Sequence, residues 1–134
     1  VTSAATETTR RPRRSAATPG WALLIDLVCV VVFALVGRAS HAEGLTLGGV
    51  ADTAWPFVVA LGLGWLAARA LWQVWPVLMR HAWLVWLVTV VGGMLLRRVS
   101  GDGTAVAFVI VATLFLGATL IGWRLLASLV VRRS

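Results

Sequence analysis

Four apolar stretches, each approaching the length of a bilayer crossing and separated by short polar links, set the limits on what this chain can become. They fall at about residues 21–37, 54–72, 82–97 and 104–131. A crossing helix needs about 20 predominantly apolar residues (range about 17–25). Inside lipid every backbone N–H and C=O must find its partner within the protein, which leaves helices and closed barrels, and continuous apolar runs of this length belong to helices. Hydrophobic residues make up 60% of the 134, well above the roughly 45–50% of soluble domains, and no soluble core could use so much apolar surface. The expected fold is therefore all-α, an integral membrane four-helix bundle in a single domain.

Along the chain, residues 1–18 are small, polar and basic without an apolar face, and they read as a disordered basic tail. Thr18 and Pro19 supply an N-cap and a first-turn proline for span one, which Gly37 and Arg38 end. Basic residues ahead of an apolar run, with Ser40-His41-Ala42 after it, imitate a signal peptide, but Asp26 inside the run and the length of the run argue for a retained span. Residues 39–53 hold Gly44, Gly48, Gly49 and Asp52 and read as a loop, with Trp55 and Pro56 at the entry to span two. Span three is short for a bilayer, and span four, at 28 residues, is long enough to need tilt or an extension beyond the membrane.

The charge is carried by 12 basic residues, all Arg, and gives a net +7. These Arg flank apolar runs, where anionic lipid headgroups would meet them, so the expected partner is a membrane surface and no nucleic acid. The tail, the link between spans two and three and the C-terminal end hold nine Arg, against three (Arg38, Arg97, Arg98) in the other two links. Positive charge stays on the cytoplasmic side, so both termini are expected there, in a multi-pass protein of the cell membrane. Trp21, Trp72, Trp75, Trp83 and Trp123 fall near that same side as an interfacial belt, with Arg80 and His81 among the headgroups.

An ionisable residue within a span is costly and by default faces the bundle interior, which makes Asp26 the most informative position. Arg124 lies at a similar depth on the last span, and Arg69 on span two is a second candidate partner. Such a pair serves either as a clasp fixing helix order or as a proton or anion relay. Thr89, Gly93 and Arg97 share one face of span three, as do Thr113, Gly117, Leu120 and Arg124 on span four. Ala60, Gly64 and Ala68 form a small-residue seam, repeated by Ala118 and Gly122. At the other membrane face, Arg38, His41, Glu43, Asp52 and Arg97 are candidates for a polar cluster, too sparse to name a metal site. Cys29 is the only cysteine. Neither a cofactor motif nor a catalytic constellation accompanies any of these groups, so no cofactor, no metal and no enzymatic activity are expected.

The two halves echo one another: Gly64-Trp65 is answered by Gly122-Trp123, and Arg38-Ala39-Ser40 by Arg98-Val99-Ser100. Asp26, Gly37-Arg38 with Ser40-His41, Trp55-Pro56-Phe57, Gly64-Trp65, Thr89 with Gly93-Met94 and Arg97, and Gly122-Trp123-Arg124 together resemble domain-of-unknown-function family 3054 (DUF3054) over about residues 20–126. The resemblance implies a small multi-spanning membrane protein of prokaryotes and names no substrate. Two functional expectations follow from the chain as a whole. The first is a non-enzymatic bundle that self-associates or packs on a membrane partner; the alternative is a small transporter or channel-like protein for a proton-coupled or anionic solute.

Overall fold

The computed structural model describes residues 19–39 and 45–133. The segment read as a tail, together with His41 and Glu43, lies outside the described residues. Four helices result, α1 (Gly20–Ala39), α2 (Leu47–Trp72), α3 (Met79–Val99) and α4 (Val106–Arg133), all long and apolar enough to cross a membrane. Among the described residues there is no strand. Each helix packs on its neighbours in sequence, and α4 returns against α1, so the four form a closed square in which α1 faces α3 and α2 faces α4 across the diagonals. This is an integral membrane four-helix bundle.

Local chemistry sets the helix ends. The Pro19 carbonyl accepts from the N–H groups of Ala22 and Leu23 and so opens α1. At α2 the Thr46 hydroxyl accepts the Gly49 N–H at 3.1 Å, as an N-cap does. The helix therefore starts seven residues before the expected Ala54, straight through Gly48, Gly49 and Asp52. Glycine and aspartate weaken a helix in water; here the Thr46 cap holds the first turn, and Gly49 leaves the room that the Arg38 guanidinium of α1 occupies. Pro56 lies inside the helix, not at its entry, a position membrane helices tolerate. Gln73, in the left-handed region at φ 57, ends α2 by returning its N–H to the Arg69 carbonyl.

α3 spans 21 residues and is a full-length crossing, longer than its apolar run suggested, because Met79, Arg80 and His81 open the helix before Ala82 and Arg98 and Val99 extend it past Arg97. Gly101 then turns the chain at φ 89, where only glycine sits without strain, and Asp102 returns its N–H to the Arg97 carbonyl.

Aromatic rings fill one half of the core. Phe33 meets Phe57 edge to face at 5.0 Å and lies 5.8 Å from Phe108 and 5.9 Å from Phe115, which ties α1, α2 and α4 together. Small residues admit the helices to each other. A Cβ on Gly64 would stand 3.3 Å from the Val85 backbone, one on Gly93 would strike the Phe57 ring, and one on Gly117 would meet the Trp86 indole. Thr89 and Thr113 of the polar stripes, and Thr119 on α4, turn their hydroxyls back on their own helices: Thr89 to the Val85 carbonyl, Thr113 to Val109 and Thr119 to Phe115. The stripes therefore present surfaces for packing, and these hydroxyl donors are already committed within their own helices.

Gly64→Leu drives a side chain against the Val85 backbone and should cost at least the 1–3 kcal/mol typical of overpacking, whereas Gly62→Ala, with open space around it, should cost nothing. Unfolding titrations of the two variants in mixed micelles check the difference.

Candidate functional site: a saturated ion pair in the bundle

Asp26 on α1 and Arg124 on α4 are fully buried and form an ion pair at 2.7 Å. The pair is bidentate: Arg124 Nη1 donates to Oδ1 at 2.9 Å and Nη2 to Oδ2 at 2.7 Å. The remaining guanidinium hydrogens are also spent. Nε and Nη2 both donate to the Pro76 carbonyl at 3.0 and 2.8 Å, and Nη1 donates to the Leu120 carbonyl at 2.8 Å. All five donors of an arginine fork are thus engaged. The carboxylate is equally filled, because the Trp65 indole donates to Oδ2 at 2.8 Å and the Trp123 indole to Oδ1 at 2.7 Å. Trp123 also lies under the guanidinium, 4.5 Å from ring centre to Cζ.

Local structure aims Arg124 inward. The buried row of α4 is Ala112, Leu116, Leu120 and Arg124, spaced by four residues. In a regular α-helix of 3.6 residues per turn, a four-residue row drifts about 40° per step and would leave the interior after three steps. The π-helical turn at Gly117–Ile121 widens the helix there and takes up that drift. Such turns are rare and often mark functional positions.

Around the pair stands a belt of aromatic rings. Trp21 meets Trp123 at 5.9 Å, Trp65 meets Trp75 at 6.0 Å, and Trp72 meets Trp83 at 6.1 Å. His81, expected among headgroups, is instead buried and lies 4.6 Å from the Trp72 ring, while Arg80 is exposed. Its Nδ1 and the Trp75 Nε1 are buried without a hydrogen-bond partner among the described residues.

Arg69 is not a partner of Asp26. Its guanidinium lies 5.7 Å from the Trp75 ring, and the indole of Trp65, four residues earlier and one helical turn away, reaches the carboxylate in its place. At the opposite end of the bundle, His41 and Glu43 of the expected polar cluster lie outside the described residues. Arg97 donates to the Gly103 carbonyl at 3.2 Å and lies 4.3 Å from the Phe108 ring. Arg38 rests against Gly49, and Asp52 is exposed. No group of three His, Cys, Asp or Glu residues capable of holding a metal occurs among the described residues.

Trp65, Trp123 and the carbonyls of Pro76 and Leu120 are the components that sequence reasoning did not assign to the site. The paired Gly64-Trp65 and Gly122-Trp123 dipeptides were the available signal, and both tryptophans prove to serve one carboxylate. The same dipeptides lie within the stretch matched by a family model, "Protein of unknown function (DUF3054)", over residues 23–127. The chain belongs to the DUF3054 family. No curated protein and no solved structure matches it. The DUF3054 match contains every residue of the ion-pair site, from Asp26 to Arg124.

Removing one member of a buried pair strands the other charge, at a cost of about 3–5 kcal/mol, so Asp26→Asn should lower unfolding free energy by that amount. Trp65→Phe and Trp123→Phe each remove one hydrogen bond to a charged group and should cost about 1.5–3 kcal/mol. The charge-free double variant Asp26→Leu with Arg124→Met should recover most of the loss. Equilibrium unfolding of this set in mixed micelles reads all four values, and a wild-type curve for Asp26→Asn would contradict a structural clasp.

Proposed function

We propose that this membrane protein is a non-enzymatic helical bundle that associates with a second copy or a membrane protein partner through the α4 face carrying Ala118 and Gly122. The observation behind this reading is the different fate of the two small-residue seams. The seam of α2 is consumed inside the bundle, with Ala60, Gly64 and Ala68 all buried. That of α4 is open: Ala118 is exposed, and a Cβ on Gly122 would meet nothing within 4 Å. Leu114 and Leu125 flank it and are exposed as well. Small residues four apart let helices approach closely in lipid, where packing rather than the hydrophobic effect drives association. α4 is also the least covered crossing, with 17% of its apolar window buried against 44% for α2.

The saturated site favours this reading over a proton or anion relay. A relay needs a group that can exchange its partners, and both carboxylate oxygens of Asp26 and every donor of Arg124 are already committed.

Gly122→Ile together with Ala118→Ile should leave the unfolding curve unchanged and convert the assembly to a monomer, as read by subunit counting in bilayers. Retention of the parent assembly state by that variant rejects the α4 face. We further place both termini in the cytoplasm of a prokaryotic cell, on the excess of Arg at that end. A C-terminal fluorescent-protein fusion should accordingly fluoresce in cells, while a C-terminal alkaline phosphatase fusion should be inactive.

A further inference from the structure

Between α3 and α4 the bundle leaves an open cavity of about 450 Å³, walled by Trp86, Val90, Val91 and Met94 on one side and by Val109 and Thr113 on the other. Its wall offers no free donor along this length. The Trp86 indole donates to the Thr113 carbonyl at 3.0 Å and the Thr113 hydroxyl to the Val109 carbonyl at 2.7 Å. An occupant of this trough must therefore be apolar where it lies along the helices.

One end of the trough is different. It closes at Arg98 and Thr104, where α3 gives way to the link that precedes α4. Arg98 is exposed, and its guanidinium has no ion pair or hydrogen bond among the described residues. Its neighbour Arg97 is held by the Gly103 carbonyl and the Phe108 ring. Asp102 is the carboxylate of this link; with Arg97 and Arg98 it leaves the end of the trough with a formal net charge of +1.

The dimensions match a particular kind of occupant. From Trp86 to Arg98 the helix rises about 18 Å at 1.5 Å per residue, close to the roughly 15 Å that one leaflet contributes to a 30 Å hydrocarbon core. A trough one leaflet deep, apolar along its length and cationic at its interfacial end, has the polarity profile of one lipid molecule. We propose that the α3–α4 groove seats an acyl chain of an anionic phospholipid whose phosphate is held by Arg98. This site lies on a different face from Ala118 and Gly122 and does not depend on self-association.

The test uses the full chain, delipidated in detergent and exposed to an equimolar mixture of phosphatidylglycerol and phosphatidylcholine, with retained lipid counted by native mass spectrometry. The parent should retain phosphatidylglycerol severalfold over phosphatidylcholine. Arg98→Gln should cut that preference about fivefold, the weight of one basic residue at an anionic surface. Val91→Trp, which fills the trough from its exposed rim, should lower retention of both lipids. Equal retention of the two lipids by the parent, or an unchanged preference in Arg98→Gln, overturns the proposal. So does a disulfide between two Val91→Cys chains lacking Cys29 in phosphatidylglycerol bilayers, which would put a second copy of the chain in the groove. Arg98 is exposed at the end of its helix, so its variant reports on binding even where the Val91 variant does not fold.

Discussion

A carboxylate placed among apolar helices is tolerable only if its charge is answered in full, and the bundle is organised around that requirement at Asp26. In water the cost of an unsatisfied oxygen is softened by solvent; in a low-dielectric interior both the attraction of the pair and the penalty for leaving any part of it unmade grow. The answer reaches beyond one arginine. α1 contributes the carboxylate, α2 the Trp65 indole, the α2–α3 link the Pro76 carbonyl, and α4 the guanidinium, the Trp123 indole and the Leu120 carbonyl. Three helices and the entry to the fourth are therefore fixed relative to one another by a single charge.

The two ends of the bundle then divide the work by chemistry. One end is polar and directional, built from indoles, a guanidinium and carbonyls with defined geometry. The other is held by ring packing, with Phe33 at the meeting point of Phe57, Phe108 and Phe115 and with Gly93 making room for Phe57. Specificity of helix order resides mainly in the first and bulk packing in the second. The arginines follow the same division: Arg124 is built into the interior, Arg97 is tied to its own connection, and Arg98 is left to the surroundings.

How much of this could be read from the sequence depends on which physical rule each feature obeys. The four crossings were legible because lipid forces continuous apolar helices, and Asp26 stood out because a charge there is expensive. Arg124 followed from its depth along the last span, with Arg69 as a second candidate partner. The early start of α2 was hidden by Gly48, Gly49 and Asp52, residues whose helix-breaking reputation comes from water and is overridden here by the Thr46 cap. Tryptophan is expected at membrane interfaces on general grounds, which masked the role of Trp65 and Trp123 as ligands of a carboxylate. The π turn was illegible for a different reason: it is a change of pitch, and a face drawn at constant pitch placed Thr113 and Gly117 in line with Arg124 where the inward row is Ala112, Leu116 and Leu120.

The long sequence separation within the ion pair has a consequence in time. Arg124 follows Asp26 by 98 residues, and at 5–20 residues per second the ribosome needs about 5–20 s to cover that distance. Throughout that interval α1 holds an acidic group whose cation has not yet been synthesised. Only the arrival of the last helix supplies its charge partner. The order of synthesis thus makes α4 the element that completes the fold, and it turns a static pair of charges into a checkpoint on assembly.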